Sequence, residues 1–379
     1  MTLLNVNLLQ HVTLALIYAA MLIMLTIGLN MVYSVLKFSN FAHAEYVTLG
    51  MFMSWWSLQI FTNALPSDNS HFINNLLLQA MFAFVVVGLF GILGEILVYD
   101  RLRFIRASPR SFTVASIGIG LIARNFLAMV FGSLPAPNKS ICADCTSLSS
   151  LPGWLPKVLR KDIYHIKIIP REISDMLGFE LIGQDIFITG FELYIILMSI
   201  IMVFTVDYIF RHTKFGIAMR ATSDSLELAQ VSGVNTKRVI FYTWFLAAGL
   251  TGFGAAFVRA NQPRFSNFDG YYMLLPIFAV VILGGVGSFR GGIVAAFILA
   301  YARQFTVIIF TEFQWTGDRG YITDLFKFPF ESMLEDWLGF TITFSPAYAD
   351  GIGFVILIIV LLVRPQGIFG SVEATRARV

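Results

Sequence analysis

Long apolar segments, each close to the length that crosses a bilayer, alternate with polar connections along almost the whole chain. A membrane-spanning helix needs about 20 predominantly apolar residues. This pattern predicts an all-α polytopic membrane protein with a single transmembrane domain, residues 1–379. Segment 41–61 is weak because ionisable residues stand at its start, and segment 273–286 is short and ends in glycines. We therefore expect about 8–9 membrane helices, drawn from segments 12–33, 41–61, 76–99, 112–131, 191–210, 239–258, 273–286, 293–310 and 352–363.

The composition agrees with a membrane protein and excludes several other classes. Hydrophobic residues make up 57% of the 379 residues and charged residues 13%, against about 25% charged residues in an average soluble domain. The net charge of +3 is small, and there is no basic run of the kind that binds nucleic acid. The N-terminal residues lack the basic region of a cleavable signal peptide, so the first apolar segment is expected to stay in the membrane.

Basic residues cluster in three connections, and the positive-inside rule uses such clusters to orient a membrane protein. The connections 100–110 and 211–238 and the tail after residue 363 are rich in arginine and lysine. If all nine segments cross a cell membrane, these connections face the cytoplasm, the N-terminus lies outside and the C-terminus inside. The two long connections, 134–190 and 311–349, then form extracytoplasmic insertions.

The two predicted insertions differ from the membrane core in composition. Residues 134–190 are rich in proline and residues 311–349 are acidic, yet both contain apolar or aromatic patches. We expect small caps rather than free linkers. Cys142 and Cys145 form a lone CxxC pair in the first insertion, which is a weak signal for a metal site. Outside the cytoplasm a local disulfide is the expected state, and we predict no metal site.

A short polar run, residues 220–233, stands between two long apolar segments within the 211–238 connection. Thr222 and Ser223 are suitable residues to cap the start of a helix, and Gly233 is suitable to end one. The run is too short and too polar to cross the bilayer. We therefore predict a helix that lies on the cytoplasmic surface of the membrane and is available to a soluble partner.

Polar residues at the start of segment 41–61 mark the first candidate site within the membrane. Asn40, His43 and Glu45 are unfavourable near hydrocarbon unless they line a cavity or form pairs. One interpretation is a turn that lines or shapes a translocation pathway. The other is a helix N-terminus at the membrane interface, capped by Asn40 and stabilised by Glu45 at the positive end of the helix dipole. The sequence favours neither.

A second candidate is Arg124 with its neighbour Asn125, about halfway along segment 112–131. An arginine at that depth is unfavourable and is expected to face water or a partner. Its guanidinium has two kinds of possible partner: a substrate carboxylate, or a carboxylate of the protein, Glu45 or Glu95. The ion pair within the protein is the simpler alternative.

A third candidate is the glycine-rich run 284–292, which begins with Gly284, Gly285 and Gly287. It lacks the Gly-Lys-Ser/Thr ending of a phosphate-binding loop, and membrane segments flank it. A glycine break in a membrane helix is typical of residues that line a transport site. Close helix packing through small residues is the alternative, and we prefer it for the glycines of segment 239–258.

The sequence does not indicate catalysis. It shows no nucleophile, histidine and acid set, no paired carboxylates at mid-membrane depth and no HExxH zinc motif. No catalytic residue is therefore predicted, and the chain is expected to be a non-enzymatic membrane component.

The surface run carries a motif that resembles a known family. Glu227-Leu228-Ala229, followed after three residues by Gly233, is similar to the EAA-xxx-G loop of ABC importer permeases, with Leu228 in place of the middle alanine. Further motifs, in the same order along the chain, resemble the branched-chain amino-acid permease family and cover most of the membrane core. They are Ile27-Gly28-Leu29-Asn30 with Tyr33-Ser34-Val35-Leu36, Asn40-Phe41-Ala42-His43-Ala44-Glu45 with Leu49-Gly50, Arg220-Ala221-Thr222 with Gly233-Val234-Asn235, Ala247-Ala248-Gly249-Leu250-Thr251-Gly252, Ile282-Leu283-Gly284-Gly285-Val286-Gly287-Ser288, and Arg364-Pro365-Gln366-Gly367.

This resemblance implies a transmembrane subunit of an ABC importer. Such a subunit pairs with a second, similar permease, is driven by two cytoplasmic ATPases and receives its substrate from an extracytoplasmic binding protein. ATP and Mg²⁺ would bind the ATPases, so no cofactor is expected in this chain. The family carries branched-chain and other amino acids, and close relatives carry urea and short amides. Ala44 stands where the family usually has glycine, and both insertions are longer than the family leads us to expect.

In this interpretation, the residues that couple to the ATPases are Arg220, Ala221, Glu227, Ala229 and Gly233. The residues of the translocation pathway are Asn40, His43, Glu45, Arg124, Asn125, Gly284, Gly285 and Gly287. Two functions from other classes remain as alternatives. One is a stand-alone secondary transporter or channel, which would need coupling ions or a selectivity ring. The other is a membrane scaffold whose surface helix recruits a soluble protein.

Overall fold

The computed structural model describes residues 8–64, 76–132, 136–137, 163–166, 186–262, 264–312 and 367–369, together with residues 351, 355, 358, 359 and 362. Helices dominate these residues, and two short antiparallel strand pairs, β1 with β4 and β2 with β3, accompany them. The helices are α1 (Leu8–Leu36), α2 (His43–Ala64), α3 (Leu76–Gly94, continued by a π-helical turn, Glu95–Tyr99), α4 (Asp100–Phe104), α5 (Pro109–Phe131), α6 (Gly190–His212), α7 (Lys214–Asp224), α8 (Leu226–Val231), α9 (Thr236–Asn261), α10 (Asp269–Gly284) and α11 (Phe289–Glu312). The strands are β1 (Ala136–Pro137), β2 (Ile163–Ile166), β3 (Ile186–Thr189) and β4 (Arg264–Phe265).

The helices confirm the predicted all-α polytopic membrane fold. Five helices of the described part are long and apolar enough to cross a membrane, and α10 is a shorter apolar helix. The exact number of crossings stays a prediction, because most of segment 352–363 lies outside the described residues. So do most of the insertions 134–190 and 311–349, including Cys142 and Cys145. The five spans are Leu9–Leu36, Leu76–Phe104, Pro109–Phe131, Gly190–His212 and Thr236–Asn261.

Helix α9 is the centre of the bundle and packs against α1, α2 and α3. Gly252 faces α3, where an added Cβ would lie 2.7 Å from Val87 Cγ2 and 2.8 Å from Ala83 O. Gly254 faces α1 in the same way, with Met24 Cβ 2.8 Å from the added atom. Small residues allow helix backbones to approach closely, so the packing interpretation of these glycines is confirmed.

The connection between α1 and α2 re-enters the bundle instead of leaving it. Lys37 has a φ of 56°, and the chain then runs back along α1 until His43 Nε2 lies 2.9 Å from the carbonyl oxygen of Leu25. At about 1.5 Å per residue, Leu25 is about 16 Å from the end of α1. Helix α2 therefore begins inside the bundle, and the interpretation of its start as an interfacial helix N-terminus is wrong.

Two sets of contacts mark the opposite ends of the bundle. We call the first the α7 end, which comprises residues 34–37, 213–235, 285–288 and 367–369. The last of these ranges joins it because Ile368 N donates to Leu283 O at 2.8 Å. The other end contains the β1–β4 pair and Asn267, whose Nδ2 donates to Gly132 O at 2.9 Å.

Replacing Gly252 by alanine is expected to destabilise the protein by about 1–3 kcal/mol, because the added methyl group overpacks the contact between α3 and α9. Gly118→Ala in α5 is the matched control. In the described part of the chain no atom outside its own helical surroundings lies within 4 Å of an added Cβ at Gly118. Thermal unfolding of the purified protein in detergent measures both variants. An unchanged unfolding midpoint for Gly252→Ala would contradict the tight packing of α9.

Candidate functional site

Arg124 and Glu45 form an ion pair between α5 and α2. Helix α2 carries Glu45 in its first turn, and α5 carries Arg124. Arg124 Nε donates to Glu45 Oε1 at 3.0 Å, and Nη2 donates to the same oxygen. The two side chains are 18% and 3% exposed, respectively. Of the two acidic partners predicted for Arg124, the structure selects Glu45, while Glu95 pairs with Arg103.

Two aromatic rings at the start of α10 flank the Arg124 guanidinium. Its Cζ lies 4.9 Å from the ring centroid of Tyr271 and 5.5 Å from that of Phe268, which is within cation–π range. Both rings are about half exposed, and Asn125 is exposed beside them. The pair thus lies at the edge of an exposed surface, the α5–α10 face, which we define by Val114, Ile117, Leu121, Asn125 and Phe126 of α5 and Tyr271, Tyr272 and Leu275 of α10. Phe268 and Tyr271 had no signal in the sequence, because they lie 144 and 147 positions from Arg124 in the chain.

Asn40 and His43 are buried, and their hydrogen bonds support the start of α2. Asn40 Oδ1 accepts hydrogen bonds from Ala42 N at 3.2 Å and from the Tyr99 hydroxyl at 3.3 Å. His43 uses Nε2 for its contact with the α1 backbone. In this geometry Asn40 and His43 fix the position of Glu45, and Glu45 is the residue of the group that meets Arg124.

The glycine turn between α10 and α11 shows both a helix break and close packing, which the sequence left as alternatives. Helix α10 ends at Gly284, and Gly285 and Gly287 have φ values of 93° and 83°, a conformation that glycine adopts without strain. The helix break is therefore real. The turn is also closely packed, because an added Cβ on Gly284 would clash with the backbone of Gly291.

Asn30 of α1 holds this glycine turn with both ends of its side-chain amide. Its Nδ2 donates to Ser288 O at 2.8 Å, and its Oδ1 accepts from Gly287 N at 2.9 Å. The turn belongs to the α7 end, and about 20 Å of α10 separates it from Tyr271 at about 1.5 Å per residue. The predicted pathway residues therefore fall into two groups, one around Arg124 and one at the glycine turn.

The polar run predicted as one surface helix forms the end of α7 and all of α8. Ser225 separates the two helices and caps α8, because its side chain accepts a hydrogen bond from Leu228 N at 3.2 Å. Thr222 and Ser223 lie in the last turn of α7. Their predicted role as caps is wrong, since the chain continues as a helix through both residues and breaks only after them.

Gly233 ends α8 as predicted. Its φ is 83°, its N–H donates to Gln230 O, and Val234 N donates to Ala229 O, both at 3.0 Å. This is the Schellman pattern of hydrogen bonds, in which a left-handed residue, usually glycine, closes the helix. The glycine is needed for its backbone conformation, because nothing in the described residues crowds the place of its missing side chain.

Helix α8 presents apolar side chains away from the bundle. Leu228 is 66% exposed and Val231 86% exposed, whereas Ala229 is buried against the protein. Arg220 and Glu227 are also exposed. The residues predicted to contact an ATPase, including the half-buried Ala221, therefore lie on one connected surface element, with Ala229 as its inward contact.

Ser223 at the end of α7 is hydrogen-bonded to the end of α1. Its Oγ donates to Ser34 O at 2.8 Å and lies 3.3 Å from Ser34 Oγ. Lys37 Nζ donates to Ser223 Oγ at 3.2 Å. These contacts attach the surface element to the residue at which the chain turns back toward Glu45. Sequence reasoning missed them because the two segments are 189 positions apart.

Sequence comparisons show that the chain is similar to known transport proteins. A family model described as "Branched-chain amino acid transport system / permease component" matches residues 12–361. The high-affinity branched-chain amino acid transport system permease protein LivH of Salmonella typhimurium is 23% identical over 356 residues, which cover 93% of this chain and 92% of LivH. The corresponding protein BraD of Pseudomonas aeruginosa is 21% identical over 360 residues, with 93% and 92% covered. A probable LivH of Methanocaldococcus jannaschii is 23% identical over 358 residues, with 94% and 90% covered. No solved structure gives a significant match.

Replacing Arg124 by glutamine is expected to destabilise the protein by about 3 kcal/mol or more, because Glu45 then keeps a buried charge without its partner. The double variant Glu45→Gln/Arg124→Gln removes both charges and should recover most of that loss. Thermal unfolding in detergent compares the two variants with the unmodified protein. Equal destabilisation by the single and double variants would show that charge pairing does not govern this contact.

Proposed function

Because the chain belongs to the family of branched-chain amino acid transport system permease components, we propose that it is the transmembrane subunit of an ATP-driven importer of branched-chain amino acids. The relatives are named as transport permeases, and the chain is a transport subunit, not an enzyme. The observation that carries the ATP-driven mechanism is the surface element α7–α8. It presents exposed Leu228 and Val231 at a polar end of the bundle, where a soluble ATPase would bury them in a groove.

The distribution of basic residues supports a cytoplasmic location for the α7 end. Helix α3 runs antiparallel to α9, since Gly91 faces Trp244 at one level and Ala83 faces Gly252 at another. This direction brings α4 and the following turn to the α7 end. By the positive-inside rule this end faces the cytoplasm, and the N-terminus of α1 then lies outside. The basic residues at this end are Arg101, Arg103, Arg106, Arg110, Arg211, Lys214, Arg220, Lys237 and Arg238.

The α5–α10 face supports a pathway shared with a second permease. Asn125 is an exposed polar residue about halfway along α5, and lipid tails offer it no hydrogen-bond partner beyond its own helix, where its Nδ2 donates to Leu121 O. Polar groups at such depth are expected to face protein or water. In the proposed importer a similar permease covers this face, and a binding protein delivers the amino acid to the cavity between the two subunits from outside.

The charged groups of the site favour an amino acid over urea and a partnered importer over a stand-alone pump. Urea and short amides carry no ionised group that could pair with Glu45 or Arg124, whereas an amino acid carries both an ammonium and a carboxylate. A proton-driven transporter needs free acidic groups along its path. In the described part of the chain, Glu45, Glu95 and Asp207 are each paired with an arginine.

The ATP-driven mechanism is tested by uptake of radiolabelled leucine into vesicles that contain this permease with candidate permease, ATPase and binding-protein partners from the same genome. Uptake should require both ATP and the binding protein. Val231→Asp should weaken ATPase binding and reduce uptake, because it places a charge in the apolar contact, whereas Val231→Thr, of nearly equal volume, should retain both. Uptake that is independent of ATP, or unaffected by Val231→Asp, would contradict the proposal.

Ser223→Ala is expected to lower the amount of leucine transported per ATP by about two- to tenfold, since each lost hydrogen bond contributes about 0.5–1.5 kcal/mol. The variant removes the hydrogen bond from the Ser223 hydroxyl of α7 to Ser34 O of α1. Ser232→Ala is the matched control, because the Ser232 hydroxyl donates to Leu228 O of the helix that it ends, at 2.8 Å, and not to α1. Parallel measurement of ATP hydrolysis and uptake in the same vesicles gives the ratio. If both variants keep the ratio of the unmodified protein, α7 does not act through Ser34.

A further inference from the structure

The Glu45–Arg124 pair uses only part of the hydrogen-bonding capacity of the two groups. Both contacts end on Glu45 Oε1 and come from Nε and Nη2 of Arg124. Glu45 Oε2 is buried and makes no hydrogen bond to Arg124. The Thr48 side chain is a hydrogen-bonding neighbour of the Glu45 carboxylate, and its hydroxyl oxygen also accepts from Gly270 N at 3.1 Å. One carboxylate oxygen and the Nη1 edge of the guanidinium are thus left outside the pair.

Among the described residues, the exposed part of this pair lies on the α5–α10 face. Glu45 is buried on the inner side, and Arg124 is partly exposed between Phe268 and Tyr271 on the outer side. Asp269, the nearest acidic residue on α10, is engaged in its own helix cap, where it accepts from Ser266 N at 3.0 Å and from Ser266 Oγ at 2.7 Å. Glu45 is therefore the anion and Arg124 the cation that a bound molecule would meet.

The net charge of the site selects the kind of ligand that fits it. Glu45 and Arg124 neutralise each other, so a ligand with a single charge would leave one buried charge without compensation. A zwitterion adds one charge of each sign. Its ammonium can replace Arg124 as the partner of Glu45, and its carboxylate can replace Glu45 as the partner of Arg124. Its carboxylate is further favoured by the positive N-terminal ends of α2 and α10, which both begin beside the pair. The two rings next to Arg124 offer apolar surface to an aliphatic side chain.

We propose that Glu45 and Arg124 form the amino-acid subsite of the pathway, with the ligand's α-ammonium bound to Glu45 Oε2 and its α-carboxylate bound to Arg124 Nη1. This assignment rests on the proposed import function and specifies its substrate contact. Without ligand, the pair closes on itself and keeps the site neutral. With ligand, the side chains open to a four-charge arrangement that is also neutral.

The binding geometry is tested by protection of a single cysteine, introduced as Asn125→Cys in a Cys142→Ser/Cys145→Ser background, within the assembled complex. A water-soluble maleimide should label this cysteine, and L-leucine should slow the labelling at least threefold. Isoamylamine lacks the carboxylate of leucine and 4-methylpentanoate lacks its ammonium group, and neither should protect at the same concentration. Absence of labelling would mean that the face is closed to water and would overturn the subsite. Equal protection by either half-ligand would overturn the zwitterion assignment.

The roles of the two charges are tested by the neutral variant Glu45→Gln/Arg124→Gln. Its apparent KM for leucine uptake should rise at least tenfold. The matched control is Glu95→Gln/Arg103→Gln, which removes a second buried glutamate–arginine pair with similar side-chain exposure, 7% and 23%, away from the α5–α10 face. A purely structural role for Glu45–Arg124 predicts the same KM in both neutral variants.

The outcomes separate this inference from the import function on which it rests. If the unmodified complex shows no ATP-dependent leucine uptake, the proposed function fails. If it shows such uptake and the Glu45→Gln/Arg124→Gln variant has an unchanged KM, the importer stands and the subsite is wrong.

Discussion

Backbone polar groups at membrane depth must find partners inside the protein, because hydrocarbon offers none, and the re-entrant segment 37–42 depends on this constraint. Asn40 alone provides partners for two backbone N–H groups, since its carbonyl accepts from His43 N at 3.3 Å and its side chain accepts from Ala42 N. Ser116 of α5 accepts from Phe41 N at 3.0 Å. Without these partners a non-helical segment could not run back into the bundle, and Glu45 could not stand at the depth of Arg124.

Features that depend on local sequence were predictable. Apolar segment lengths identified the five spans of the described residues, because hydrocarbon thickness sets the length of a crossing helix. Gly233 was recognised as a helix end because a left-handed residue at that position favours glycine whatever the tertiary context. Arg124 was recognised as needing a partner because an unpaired charge in the membrane is strongly unfavourable, and Glu45 was one of the two carboxylates considered.

Features that depend on distant contacts were not predictable from these letters. The depth at which α2 begins is set by His43 and Leu25, and nothing in the apolar pattern of segment 41–61 distinguishes a helix that starts inside the bundle from one that crosses it. Asn30 appeared only as part of a family motif in the first segment and received no role, because its partners lie more than 250 positions away. Ser223 looked like a helix cap, since its side chain type favours that position, but its hydroxyl is used by α1.

Helix α1 joins the site to the surface element. Its Leu25 carbonyl supports the start of α2, its Asn30 holds the glycine turn, and its Ser34 holds α7 through Ser223. A series of contacts along a helix does not by itself establish coupling between two sites, which requires an element with two arrangements. Helix α1 can make the three contacts move together, because they lie within a stretch of about 14 Å along one continuous helix. In the proposed importer, a shift of α7 that preserves the Ser34 contact must therefore displace the support of Glu45 as well.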